Sequence, residues 1–113
     1  MHVKTIDQWE TQFRKGILEA LVLMAIRSKT QMYGYELVEF LKQQGLDCSE
    51  GTIYPLLNRM QKNEWLVSEW DIPVGSGSPR KWYKIHLSAG HLYTDMISKI
   101  DNYQTVISNI RRM

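Results

Sequence analysis

At 113 residues, 43% hydrophobic and 23% charged, the chain fits a single domain that buries roughly two-thirds of its unfolded surface, which excludes a large enzyme cleft. Its formal net charge of +2 permits nucleic acid as a partner without requiring it, so the placement of charge decides more than its total. The single Cys48 excludes an internal disulfide, and no apolar run nears the roughly 20 residues that span a bilayer, so a cytoplasmic protein without membrane contact is expected.

From about Asp7 to Ser28 the apolar spacing is helical. Phe13, Ile17, Ala20, Leu21 and Met24 lie on one side and Leu18, Val22 and Ala25 on the next, a stripe wider than one core needs. Such a helix is central to its domain or shared with a second subunit. Arg27 and Lys29 suit its C-terminus, where cations meet exposed carbonyls. A second helix starts near Tyr33. In it Tyr33, Leu37, Phe40 and Leu41 share a face, Glu36 and Glu39 point away, and Gly45 supplies the stop.

Leu46-Asp47-Cys48 leads at once into a third helical stretch that ends before Leu66. Two helices joined by so few residues form the arrangement of a helix-turn-helix, with the later helix in the reading position. Either Ser49 or Thr52 can open this helix. Thr52 is the expected effective cap, because Pro55 then falls in the first turn, where its missing N–H costs little. Ile53, Leu56, Leu57 and Met60 recur as one buried stripe. The opposite side carries Gly51, Pro55, Asn58 and Lys62, flanked by Thr52 and Arg59 on one edge and Tyr54 and Gln61 on the other. Between Glu50 and Glu64 there is no carboxylate. A solvated amphipathic helix would look the same in isolation, but a face of this kind suits a groove of phosphates and base edges.

After Glu64 the period changes from helical to two. Strands are expected over Leu66 to Ile72 and Lys81 to Leu87, forming a β-hairpin. Its connection, Pro73 to Pro79, is rich in Gly and Ser and delivers Arg80, Lys81 and Lys84. Cations at a hairpin edge protect it from pairing, but a Gly/Ser tip followed by Arg-Lys is also how a wing grips a phosphate backbone. Ser88 is the expected cap of a last helix running to the chain end. Within it Tyr93, Met96, Ile100, Tyr103, Ile107 and Ile110 follow the a/d spacing of a coiled coil. A helix of about 24 residues extends about 36 Å, longer than the small domain before it can cover. Dimerisation through this seam is therefore expected, with residues 1–87 as an N-terminal helix plus winged helix-turn-helix and 88–113 as the dimerisation helix.

Catalytic and metal constellations are not expected. His2, His86 and His91 are scattered, and Gly75-Ser76-Gly77 lies between strands rather than between a strand and a helix. No cofactor and no enzyme activity are anticipated.

The fold class expected is thus mainly α with a β-hairpin, a winged helix-turn-helix with a long C-terminal dimerisation helix. Three stretches, Tyr33-Gly34-Tyr35-Glu36-Leu37, Gly51 to Met60 and Pro79 to Ile85, resemble in order and spacing the PadR-type bacterial transcriptional regulators over nearly the whole chain. One terminal helix places it with the short members. The resemblance implies a cytoplasmic homodimer that binds operator double-stranded DNA, usually as a repressor, and often releases it on binding a small molecule. Its DNA contacts would fall on Tyr33, Thr52, Tyr54 and Arg59, with Arg80 and Lys81 from the wing; the residue reading adds Asn58 and Lys62. Gly34 would allow close packing at the start of its helix. Trp82 stands where the family usually has Tyr. For a small aromatic effector the candidate lining is Phe13, Ile17, Ala20 and Met24 of the first helix with Ile97 and Asp101 of the partner's last, Asp101 favouring cations. Two other readings use the same residues: a winged-helix protein-interaction module, and a small-molecule binding protein without DNA function.

Overall fold

The computed structural model describes residues 5–72, 74–75 and 77–113; His2 and the wing-tip residues Pro73 and Ser76 lie outside them. Helix α1 spans Ile6–Lys29 and opens on a reciprocal cap. The Gln8 N–H donates to Thr5 Oγ1 at 3.2 Å and the Thr5 N–H to Gln8 Oε1 at 2.9 Å, which satisfies two of the donors a helix start leaves free. Strand β1, Met32–Tyr33, follows, then α2 over Gly34–Gln43. Tyr33 is the N-cap of α2, and its N–H is taken by Glu36 Oε1 at 3.0 Å. Gly45, at φ +99, stops α2 as the sequence predicts. The Leu46 N–H reaches back to the Leu41 carbonyl and the Gly45 N–H to that of Lys42, both at 3.0 Å, the paired bonds that close a helix through a left-handed residue.

Helix α3 spans Glu50–Lys62, with Ser49 and not Thr52 as its N-cap. The Thr52 and Ile53 N–H groups both reach the Ser49 carbonyl, at 3.1 and 3.0 Å. Pro55 is consequently inside the helix, and the Gly51 carbonyl loses its i+4 donor. The loss is tolerable because Gly51 is exposed and water can replace the missing N–H. Glu64, at φ 63, closes α3 in the same way as Gly45 closes α2, with the Trp65 N–H on the Met60 carbonyl at 2.9 Å.

The hairpin expected from the sequence is part of a three-stranded antiparallel sheet in the order β1-β3-β2. Strands β2 (Leu66–Asp71) and β3 (Arg80–Ile85) pair from Leu66 opposite Ile85 to Asp71 opposite Arg80. The added strand β1 sets Met32 opposite Tyr83 and Tyr33 opposite Trp82. Two residues are too few to show an alternating period, so β1 leaves no pattern to read.

A second correction concerns the last helix. Ser88 lies in a short 3₁₀ turn, Leu87–Ala89, and donates its N–H to His86 Nδ1 at 3.1 Å; α4 begins at Gly90 and runs to Arg111. One core joins the second half of α1 (Val22, Leu23, Ile26) to Leu37 and Val38 of α2, Ile53, Leu57 and Met60 of α3, and Leu66 of β2, all at 1% exposure or less. Tyr93 and Met96 pack against its edge from α4. Beyond them α4 projects, and the chain measures 60 × 34 × 25 Å.

Candidate nucleic-acid interface

Burial of Ile53, Leu56, Leu57 and Met60 fixes the rotation of α3. Gly51, Thr52, Pro55, Asn58, Arg59 and Lys62 are then left exposed along its outer side. Thr52, Pro55 and Arg59 also border a hollow of about 390 Å³ against α1, whose other walls include Arg14 and Lys15. These two cations were not among the expected contacts. Their relation to Arg59 arises from the crossing of α1 and α3, which no local pattern encodes. Arg14 also ties α1 to the turn before α3, its guanidinium donating to the Asp47 carbonyl at 2.6 Å.

Tyr54 has a different setting from its neighbours. It is half-buried, and burial, then Glu50, pushes its phenol above the usual range. A Cβ on Gly34 would lie 2.5 Å from Tyr54 Cε1. Gly34 therefore permits the N-terminus of α2 to sit against the Tyr54 ring, a close approach that no other residue allows without displacement.

At the base of the wing, the alternation of strand side chains sends Arg80 and Lys81 to opposite faces of the sheet. Lys81 lies with Trp70 and Tyr83, its Nζ 5.6 Å from each ring centroid. Arg80 lies with Tyr33, its guanidinium carbon 4.4 Å from the ring centroid. The Tyr33 hydroxyl donates to Asp71 Oδ2 at 2.5 Å, and Arg80 Nη2 approaches the same oxygen at 3.4 Å. Arg80 Nη1 is 3.5 Å from the Tyr35 hydroxyl, and the Tyr33 and Tyr35 rings stack with centroids 5.8 Å apart. The hydrogen bond to Asp71 raises the Tyr33 phenol above its ordinary value. Tyr35 and Asp71 were missed from the sequence because only the register that sets Asp71 opposite Arg80 brings them to the expected Tyr33 and Arg80.

The six seam residues of α4 divide. Tyr93, Met96 and Ile100 are half-buried, whereas Tyr103, Ile107 and Ile110 are exposed. Trp9 and Phe13 of α1, stacked with centroids 5.3 Å apart, are exposed as well. Between α1 and α4 of the same chain runs an apolar groove of about 410 Å³, and it includes Phe13, Ile17 and Ala20 with Met96, Ile100 and Tyr103. Asp95 and Lys99 stand at this groove. Met24 borders a separate hollow beside Phe40, Asp101 borders another on α4 beside Arg112, and Ile97 lines neither.

A helix-turn-helix with an exposed polar second helix, backed by a three-stranded antiparallel wing and followed by a long helix, defines a winged helix-turn-helix protein of the DNA-binding type. The chain belongs to the PadR-like family of transcriptional regulators, whose family model, "Transcriptional regulator PadR-like family", matches residues 22–95. The fold is similar to that of a PadR family regulator from Eggerthella lenta, with TM-score 0.78, 28% identity and coverage of 93% of this chain and 90% of that one. A Streptococcus transcriptional regulator is 33% identical at TM-score 0.75, covering 88% of this chain and 97% of the other. Bacillus subtilis PadR, solved in complex with operator DNA, shares the fold at TM-score 0.64 and 21% identity, over 72% of this chain and 46% of that one. No curated protein matches the chain in sequence. Among the described residues no helix is long and apolar enough to cross a membrane, and no group of His, Cys, Asp and Glu could hold a metal ion.

Proposed function

We propose that this protein is a homodimeric repressor that binds operator double-stranded DNA through α3 and the wing and releases it when a small molecule occupies the groove between α1 and α4. The observation that carries the reading is the outer side of α3. It runs from Gly51 to Lys62 without a carboxylate and stands exposed, on the helix that leads directly into the wing. In a major groove Thr52, Asn58 and Arg59 would reach base edges, with Arg59 suited to bidentate pairing with guanine, and Lys62 would meet a phosphate. Tyr54, half-buried with its ring edge packed on Gly34, belongs to the same helix, and the wing base would add Tyr33 and Arg80 from one face and Lys81 from the other. That a protein of the same fold, Bacillus subtilis PadR, is found in complex with operator DNA supports a duplex as the partner.

Residues 88–113 serve assembly in this reading. The exposed Tyr103, Ile107 and Ile110 are large apolar side chains that a second copy would cover, and pairing two copies would set two reading helices for successive major grooves about 34 Å apart. An aromatic molecule in the groove lined by Phe13, Ile17 and Ala20 would alter that separation and weaken operator binding. Asp95 and Lys99 give this groove both signs of charge, whereas Asp101 would bear on a ligand only from the partner's side.

The test is equilibrium binding of the full chain to genomic fragments, followed by sequencing of those retained. A regulator of this kind selects a two-fold-related sequence, and its affinity for any duplex falls steeply as salt rises. Absence of duplex binding at low salt overturns the reading.

A further inference from the structure

The cluster at the base of the wing contains an acid in an unexpected place. Its setting is a surface meant, on the reading above, to meet a polyanion. We propose that Asp71 is an internal stand-in for a DNA phosphate: it holds Arg80 and Tyr33 until a duplex displaces it, so that the wing takes hold by exchanging one anion for another. The inference rests on the DNA-binding reading.

The donor set is the first argument. One oxygen, Asp71 Oδ2, accepts the Tyr33 O–H at 2.5 Å and faces Arg80 Nη2 at 3.4 Å. A tyrosine hydroxyl and a guanidinium N–H are among the groups that bind phosphate oxygens in protein–DNA interfaces. Exposure is the second argument. The Arg80 and Asp71 side chains are 44% and 41% exposed, and an ion pair so open to water is weak enough to be exchanged. A purely structural staple would be expected to be buried. The third is the state of Arg80, whose guanidinium carbon is already held over the Tyr33 ring, 4.4 Å from its centroid, and beside the Tyr35 hydroxyl. The rings would keep the guanidinium extended after the carboxylate is displaced, so a phosphate would find it preorganised. The cost of the arrangement is that a phosphate arriving at Arg80 comes close to Asp71 and is repelled. Asp71 is bonded to Tyr33 and Arg80 at the wing base and not to a base-reading side chain of α3, so that repulsion would act on all sequences alike.

Fluorescence-anisotropy titrations of the full chain, against a random duplex and against a selected fragment over a range of salt, test this with Asp71→Asn, Arg80→Ala and the double variant. Asn keeps the shape and an acceptor for Tyr33 but removes the charge. Asp71→Asn should bind both duplexes about three- to tenfold tighter and steepen the logarithmic salt slope by about one, as expected for one added phosphate contact. Most of that gain should vanish in the Arg80→Ala background. If Asp71→Asn does not fold, as judged by circular dichroism and melting, Asp71→Thr serves, being a good strand residue that retains an oxygen for Tyr33. Equal or weaker binding by the charge-neutral variant overturns the inference. So does a gain that persists in full without Arg80, because that would be general repulsion and not exchange. Failure of every variant and of the wild type to bind any duplex removes the DNA reading itself, which is a distinct result from a wild type that binds and a variant that binds no better.

Discussion

Helices α3 and α4 each carry an apolar stripe at three-and-four spacing, and the structure treats them in opposite ways. Ile53, Leu57 and Met60 of α3 have no exposed surface, yet α4, whose spacing is the more regular, has no fully buried residue. Tyr103, Ile107 and Ile110 stand 66%, 52% and 60% exposed. Position explains the contrast. Helix α3 is enclosed by α2 and the sheet, whereas α4 leaves the domain soon after Tyr93 and Met96 touch the core. Periodicity identifies the side of a helix that needs cover, but not the body that covers it.

The largest expected effect breaks the comparison on the α3 side. Leu57→Ala deletes a fully buried side chain at the centre of the one core and should cost about 2–5 kcal/mol of folding stability, read as a lower urea midpoint. DNA binding should be lost with the fold.

On the α4 side the same kind of lesion should act on assembly instead. Ile107→Asp is predicted to leave circular dichroism and the melting of the separated subunit unchanged, because Ile107 is exposed. It should weaken dimerisation roughly 30-fold, on the order of 2 kcal/mol, by forcing an unpaired carboxylate into the seam. Sedimentation over a concentration series reads this. A dimer as tight as wild type would mean that this stripe is covered by something other than a second copy. Ile100 is a poorer site for the test, since it already faces α1 across the groove and a charge there would disturb the domain as well.

How far the sequence could be read follows from the same contrast. The four helices, the two long strands and the three motifs of the family were legible because each is a local pattern of ten residues or so. Strand β1 was not, because Met32 and Tyr33 become a strand only by pairing with β3. The start of α3 was misjudged because Pro55 argued for a later cap, whereas an exposed Gly51 lets water replace the hydrogen bond that a proline further in removes. Phe13, Ile17 and Ala20 were expected from the sequence to face the partner's last helix; the groove beside them in the structure is closed by α4 of the same chain. Its α4 side depends on how two helices cross, which spacing within either helix does not contain. Asp71 was invisible as a partner of Arg80 until the strand register was known.

A smaller effect sharpens the comparison at the edge of α3. Gly34→Ala should cost about 1–3 kcal/mol, because the new methyl group meets a half-buried ring at a distance that forces it to move. In a Tyr54→Ala background the penalty should nearly disappear, since the ring that blocks the methyl group is gone. Two penalties that simply add in urea denaturation would mean that Gly34 is required for backbone freedom and not for its closeness to Tyr54.

The smallest effect separates the two binding elements on the DNA side. Arg59 and Lys81 are both cations of the proposed interface, but their settings differ. Arg59 is exposed on α3 and, in the proposed docking, would meet base edges. Lys81 rests its ammonium over Trp70 and Tyr83 on the wing, on the sheet face opposite Arg80. A base contact carries sequence information and a phosphate contact does not. Arg59→Ala should therefore reduce binding of the selected fragment about tenfold or more, with little change on a random duplex. Lys81→Ala should weaken both duplexes by the same factor, about threefold at moderate salt, and flatten the logarithmic salt slope by about one. Because Arg80 projects from the other face, removing Lys81 should leave the effect of Arg80→Ala unchanged, and the two losses should add. A Lys81→Ala variant that shifts the preferred sequence, beside an Arg59→Ala variant that does not, would reverse the division of labour and put the wing face of Lys81, rather than α3, against the bases.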